Sequence, residues 1–276
     1  MFTSKVFLYL ATVLPPIILG ILIWKSDKFP EPGKFLVTAF MLGVAIDLPL
    51  NFLIILSENH LAPYLDLNVD AYYNWKAGDP NPVGESAFLN FFRAAYLEES
   101  LKFAFLIFIC VRLEALNEPI DAIVYGAAIG LGYAAMENLG YLSASSFQDA
   151  WSIEMVKMRY YPLIMHLGFG VVMGWLLSQS LFDEPSKFKR TFLLILSLSI
   201  PIIYHGVYNY YETYDVFPIL TIILIISIIY WARREQLKKI TEAEDKYVPT
   251  TSDITYTYGI SLLLVSVVVT SAILYS

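Results

Sequence analysis

The sequence predicts an all-α, polytopic membrane protein of about eight transmembrane helices, organised as a single domain over residues 1–276. Three observations carry that reading. Hydrophobic residues make up 57% of the chain, mean hydropathy is +0.59, and charged residues are only 16%, against about 25% in soluble domains. Apolar runs of roughly 20 residues recur, the length a helix needs to cross a hydrocarbon core of about 30 Å. Lys and Arg concentrate in alternate connections, as they do in multi-pass proteins. A single cysteine, Cys110, excludes an intrachain disulfide and any multi-cysteine metal site. No basic nucleic-acid surface and no Gly-rich phosphate loop is present, so nucleic acid is not a partner.

The first run, 6–24, follows Lys5 as a signal peptide would. It ends in Ile21-Leu22-Ile23-Trp24-Lys25 without a small-x-small cleavage pattern, and so reads as a retained helix kinked near Pro15-Pro16. The second span, 35–56, contains Asp47 and Asn51 on either side of Pro49. Residues 57–86 form the longest polar connection, with one lysine, Lys76. The third span, 87–113, carries Glu98, Glu99 and Lys102. The fourth, 119–142, spaces Gly126, Ala127, Gly130 and Ala134 for close helix approach and ends near Glu137-Asn138. After a polar connection with an amphipathic turn around 153–158, the fifth span, 161–182, starts near His166 and includes Gly170-x-x-x-Gly174. The sixth, 191–210, ends in His205-Gly206-Val207-Tyr208-Asn209. The seventh, 216–232, is short, and after a charged stretch the eighth is expected at 256–275.

Charge sets the expected orientation. The connections after spans one, three, five and seven hold twelve of the 18 Lys and Arg, the opposite side with both termini holds four, and Arg93 and Lys102 lie inside the third span. Both termini and the 57–86 connection are therefore expected outside the cytoplasm. On that topology Glu137, His166 and His205 each lie five residues from the outer end of their spans, about 7–8 Å deep. Asp47 and Glu98 lie deeper, at about 13 and 16 Å, still in the outer half.

An ionised group at membrane depth costs about 2.5 kcal/mol or more on insertion scales, so such groups are paired or functional. Glu98 and Lys102 are four apart on a helix and Glu99 and Lys102 three apart, so both pairs adjoin. Singly, each polar group has an ordinary structural role: an ion pair, an interhelical histidine bond, an asparagine cap. Their shared depth on five helices is what a reaction site requires and scattered structural polarity does not. Paired carboxylates, histidines and an asparagine can activate water and bind an oxyanion, the needs of peptide-bond hydrolysis. No Gly-x-Ser-x-Gly or His-Glu-x-x-His occurs. His166, His205 and Glu98 are also ligands of the type a catalytic zinc takes, which leaves a metal open.

Glu98-Glu99-x-x-Lys102, then Glu137-Asn138 at the end of a glycine-rich helix, then His166, then His205-x-x-x-Asn209 follow one another on successive spans. In that order they resemble the PrsW family of intramembrane proteases, related to the type II CAAX prenyl proteases and to the APH-1 subunit of gamma-secretase. The resemblance covers about 87–210 and, through helix count and loop order, most of the chain. One departure is Tyr133, four residues before Glu137, where phenylalanine is expected; the change is conservative. The resemblance implies a catalytic core built by spans three to six. It also implies site-1-type cleavage of a single-pass anti-sigma factor at the extracytoplasmic side of the cell membrane. Glu98 or Glu99 would be the general base, with Lys102 orienting the pair. His166, and His205 with Asn209, would bind the oxyanion or scissile carbonyl, and Glu137 would serve as second acid or ligand. Six candidate groups are more than a zinc needs, so the expectation is catalysis without a cofactor, with zinc left open. Two rival readings are a proton-coupled transporter, which would show repeat symmetry and midplane sites, and a non-catalytic scaffold of the APH-1 kind, which would have no use for an intact Glu-Glu pair.

Overall fold

The computed structural model describes residues 2–76, 79–112, 116–143, 158–182, 186–211 and 216–241. The expected eighth span at 256–275 and most of the expected turn at 153–158 lie outside them. The described residues are helical, without a strand. Seven long helices follow in order: α1 (Phe2–Ser26), α2 (Gly33–Tyr64), α3 (83–112), α4 (Pro119–Ser143), α5 (Tyr160–Phe182), α6 (Lys187–Tyr211) and α7 (Val216–Thr241). All but α3 are long and apolar enough to cross a membrane. α3 has similar length but carries Arg93, Glu98, Glu99 and Lys102.

Each of the first seven expected spans coincides with a helix, but several boundaries differ for physical reasons. α1 runs unbroken through Pro15 and Pro16. In α2, Pro49 has no amide hydrogen to give the Ala45 carbonyl, and the helix is jointed there: a new segment begins at Asp47, after Ile46 bonds back to the Gly43 carbonyl. α2 then continues past 56, through a π turn at Ser57–Leu61, because Leu61 and Ala62 find an apolar partner in Phe88 and Leu89 of α3. The connection read as 57–86 is thus a shorter one, with a helical turn at Val69–Tyr73. α7 extends beyond 232 because Gln236 is buried. Its Nε2 donates to Asp27 Oδ1 at 2.8 Å and to Glu118 Oε2, tying the ends of α1 and α4 to α7.

α4 is the central helix: its apolar window is 94% buried, against 22% for those of α1 and α2. Glycines make this approach possible. A methyl group added at Gly130 would overlap the carbonyl oxygen of His166, and one at Gly126 that of Gly170, so α4 and α5 meet backbone to backbone. Peripheral helices turn apolar side chains outward, among them Ile219, Ile223 and Ile226 of α7, as a lipid-facing surface requires.

α3 carries the one long irregularity. Residues Phe88–Tyr96 are π-helical, between the α-helical segments Val83–Ala87 and Leu97–Arg112. The wider turn, bonded i to i+5, brings residues four or five apart onto one face. Leu89, Asn90, Arg93, Ala94 and Glu98 accordingly line a single pocket. Glycine again sets the spacing, since a side chain at Gly206 of α6 would run into the Phe91 ring.

Candidate active site

α3, α4, α5 and α6 bring Glu98, Glu99, Lys102, Glu137, His166 and His205 together. Lys102 is the hub. Its ammonium lies 2.7 Å from Glu99 Oε1, 3.5 Å from Glu98 Oε2 and 3.0 Å from His166 Nδ1. It also sits 4.1 Å from the centroid of the Tyr133 ring, a cation–π contact strengthened by the burial of both side chains. Lys102 is 1% exposed and Glu99 0%, so this is a buried ion pair, stable only because each partner is present.

Hydrogen bonding assigns the histidine tautomers. An ammonium has only donors, so His166 Nδ1 accepts from Lys102 and carries its proton on Nε2, which donates to Glu137 Oε2 at 3.2 Å. Glu99 is an acceptor, so His205 donates from Nδ1 to its Oε1 at 2.9 Å. That leaves Nε2 of His205 for the pocket the residue lines. The His205 ring is held by stacking on Phe169, centroids 4.9 Å apart at 21°, and lies edge-on to His166 at 5.3 Å.

A pocket of about 320 Å³ opens over this cluster. Glu98, Glu137, His166, His205 and Asn209 line it together with Arg93, Arg159, Tyr72 and Tyr73, whereas the buried Glu99 and Lys102 are not part of its lining. Glu98 is therefore the carboxylate of the pair that meets whatever enters. Asn209, one turn beyond His205, lines the pocket, as the His205-x-x-x-Asn209 spacing predicts. Asp47 does not join this site. It forms no side-chain hydrogen bond or ion pair among the described residues, and Asn51 donates to Asp47's own backbone carbonyl. The polar convergence involves four helices rather than five.

Two residues were missed from the sequence. Arg159, just before α5, donates from Nη2 to Glu137 Oε2 at 2.7 Å and from Nε to Asn138 Oδ1 at 2.8 Å, and lies over the Tyr141 ring at 4.0 Å. It supplies the counter-charge that a half-buried Glu137 within the helix bundle demands, and that demand was the available signal. Tyr133, treated as a conservative departure, is a wall of the site, packed on Lys102 and edge-on to His166 at 5.0 Å. Its ring makes those contacts, and phenylalanine would share it. A further ion pair, Arg93 with Glu58 at 2.5 Å, joins the π stretch of α3 to the π turn of α2.

The donors suit a divalent ion. One ligand atom each from Glu98, Glu99, His166 and His205 lie within 4.8 Å of one another, and carboxylates and imidazoles are zinc's usual partners. Glu99 Oε2 is moreover buried without a hydrogen-bond partner. Lys102 already serves two of these residues closely, so an ion would share them with an ammonium. With neutral histidines, Glu98, Glu99 and Glu137 outnumber Lys102 and Arg159 by one charge, which favours a further cation or proton.

Comparison with known proteins agrees with the geometry. A family model described as PrsW family intramembrane metalloprotease matches residues 31–232. Among curated relatives, Protease PrsW of Bacillus subtilis (strain 168) is 29% identical over 231 residues, 83% of this chain and 93% of its own length. Those of Geobacillus kaustophilus and Oceanobacillus iheyensis are 28% and 27% identical, over 83% and 72% of this chain and 90% and 80% of their own lengths. No solved structure gives a significant match.

Proposed function

The chain belongs to the PrsW family of intramembrane proteases, and from that premise we propose that it cleaves a single-pass, membrane-anchored substrate at the extracytoplasmic side, with Glu98 as the base that activates water. One observation supports the choice of Glu98 above all: it faces the pocket, while its neighbour Glu99 is buried between Lys102 and His205. Glu99 and Lys102 are positioning residues behind it. The side of cleavage rests on the Lys and Arg asymmetry, and the anti-sigma-factor class of substrate on the resemblance.

In the reaction, Glu98 takes a proton from water as the oxygen adds to the scissile carbonyl. The Asn209 amide binds the oxygen that becomes negative, and His205 shares the task in the form that enters the reaction already as imidazolium, donating from Nδ1 to Glu99 and from Nε2 to that oxygen. His166 was expected to share this task. Both its ring nitrogens are engaged, by Lys102 and Glu137, and it serves instead to hold those two charges in register. The carbon–nitrogen bond then breaks as the proton taken by Glu98 passes to the leaving amine. If a divalent ion is bound, Glu98, Glu99, His166 and His205 would hold it, and it would supply Lewis-acid polarisation of water or carbonyl.

The test is co-expression with a panel of single-pass anti-sigma factors, blotting for the shortened fragment. A fragment that appears with the wild type and disappears with Glu98→Gln is expected. An unchanged fragment in Glu98→Gln, with the protein in the membrane, would return the carboxylate pair to a structural role.

A further inference from the structure

A second cavity, of about 340 Å³, adjoins the catalytic pocket and shares Tyr72 and Tyr73 with it. Its other lining residues are Trp75, Asn81, Pro82 and Ser86. The lining carries no charged side chain, although the connection around it holds Asp66, Asp70, Asp79 and Glu85.

The backbone beneath this cavity is anchored. Leu67, Val69 and Tyr72 pack on Leu61, Ala62, Phe88 and Leu89. Asn68 caps the turn by accepting from Ala71 N at 3.1 Å, and Glu85 accepts from Asn68 N at 3.2 Å. The Trp75 indole N–H donates to the carbonyls of Asp79 and Pro80, at 3.3 and 3.1 Å. Yet the rings stay open to solvent, Tyr73 being 58% and Trp75 46% exposed. Aromatic surfaces held ready on a braced backbone bind at low ordering cost.

We propose that this cavity is a specificity subsite that takes one large apolar side chain of the substrate polypeptide, a few residues from the scissile bond. The proposal rests on the peptidase reading above. Continuity with the catalytic pocket argues for substrate: Tyr72 and Tyr73 line both cavities, so a chain threaded past Glu98 that leaves over these two rings enters this cavity next. Asn81 and Ser86 offer partners for its main chain, and the Trp75, Tyr73 and Pro82 faces suit an aromatic or branched aliphatic residue. Rings at a bilayer boundary also serve as interfacial anchors, but an anchor requires no concavity opening onto a catalytic pocket.

The experiment uses the full-length protein in detergent. The probes are labelled ten-residue peptides, identical except that one position at a time is Phe or Asp. Binding is read by fluorescence anisotropy on Glu98→Gln, and cleavage on the wild type. At one position the Phe peptide should bind at least about tenfold tighter than the Asp peptide, the scale of a filled apolar pocket. Trp75→Ala should erase most of that preference and Trp75→Phe should retain it. A preference that survives Trp75→Ala unchanged, or no Phe preference at any position, would overturn the subsite. Peptides that bind with the expected preference, while co-expression yields no Glu98-dependent fragment of any membrane-anchored substrate, would keep the subsite and refute the peptidase reading instead.

Discussion

Lys102→Met tests the architecture of the site directly. The substitution keeps most of the side-chain volume and removes the ammonium. Glu99, 0% exposed, then loses its 2.7 Å partner and keeps only His205. His166 Nδ1 loses its donor, and no other cation among the described residues contacts Glu98 or Glu99 closely. Removing one member of a buried pair costs about 3–5 kcal/mol because the other charge is stranded, a change of about two to nearly four powers of ten in the unfolding constant. Glu99→Gln alone leaves the ammonium with only the longer Glu98 contact at 3.5 Å, and should also be destabilising, by a smaller amount. The double variant Lys102→Met/Glu99→Gln removes both members of the closest pair and leaves only Glu98, at the pocket, to lose its cation, so its loss should fall below the sum, with a coupling of about 2 kcal/mol or more. The assay is reversible unfolding of purified protein in mixed micelles, followed by far-UV circular dichroism. Additive losses would show that the two side chains do not depend on each other, and would refute the hub.

Other outcomes follow from the same geometry. Glu98→Gln should lower turnover by about 10²–10⁴-fold, the usual worth of a general base, with little loss of stability, whereas Glu99→Gln should lower both; measuring turnover and unfolding together separates them, and equal stability losses would erase the distinction. Gly130→Leu forces a side chain into the His166 carbonyl, and should cost at least the roughly 1–3 kcal/mol of overpacking, read as loss of monodisperse protein on gel filtration; wild-type behaviour would refute the backbone contact. A reporter active only outside the cytoplasm should be active when inserted within residues 66–80 and silent at Lys187; the reverse would place the site on the other side of the membrane.

What the sequence made legible was whatever depends on local spacing or on depth. Glu98 and Glu99 meet Lys102 because helical offsets of four and three bring side chains onto one face. His166, His205 and Glu137 share a level because span ends are marked by loop charges. What stayed hidden depends on tertiary partners. Asp47 and Asn51 stand at helical spacing in an apolar run, much as Glu98 and Lys102 do, yet Asn51 simply bonds back to its own helix. Arg159 reads as a loop charge until α5 sets it against Glu137. The π stretch at Phe88–Tyr96 breaks the 3.6-residue period on which face assignment rests, so Arg93 and Asn90 could not be placed on the Glu98 face beforehand.

The relation between Lys102 and a divalent ion yields the last prediction. Both are cations, and both would draw on Glu99, Glu98 and His166. In the wild type, an ion entering the cluster meets an ammonium 3.0 Å from His166 Nδ1. In Lys102→Met that repulsion is gone, Nδ1 is released, and two stranded carboxylates remain. The variant should therefore bind zinc or cobalt more tightly than the wild type does, and binding should restore stability. A ligand that binds only the folded state contributes about 2.7 kcal/mol at one hundred times its dissociation constant, enough to offset much of the loss expected from Lys102→Met. Unfolding of both proteins with and without excess cobalt reads this without any assay of turnover, and the visible spectrum of cobalt reports its ligands. A large cobalt-dependent gain confined to Lys102→Met is the expected result, and His205→Ala in the same background should abolish it. If cobalt leaves the variant as unstable as before, the four donors do not form a cation site, and the excess negative charge of the cluster is met by a proton.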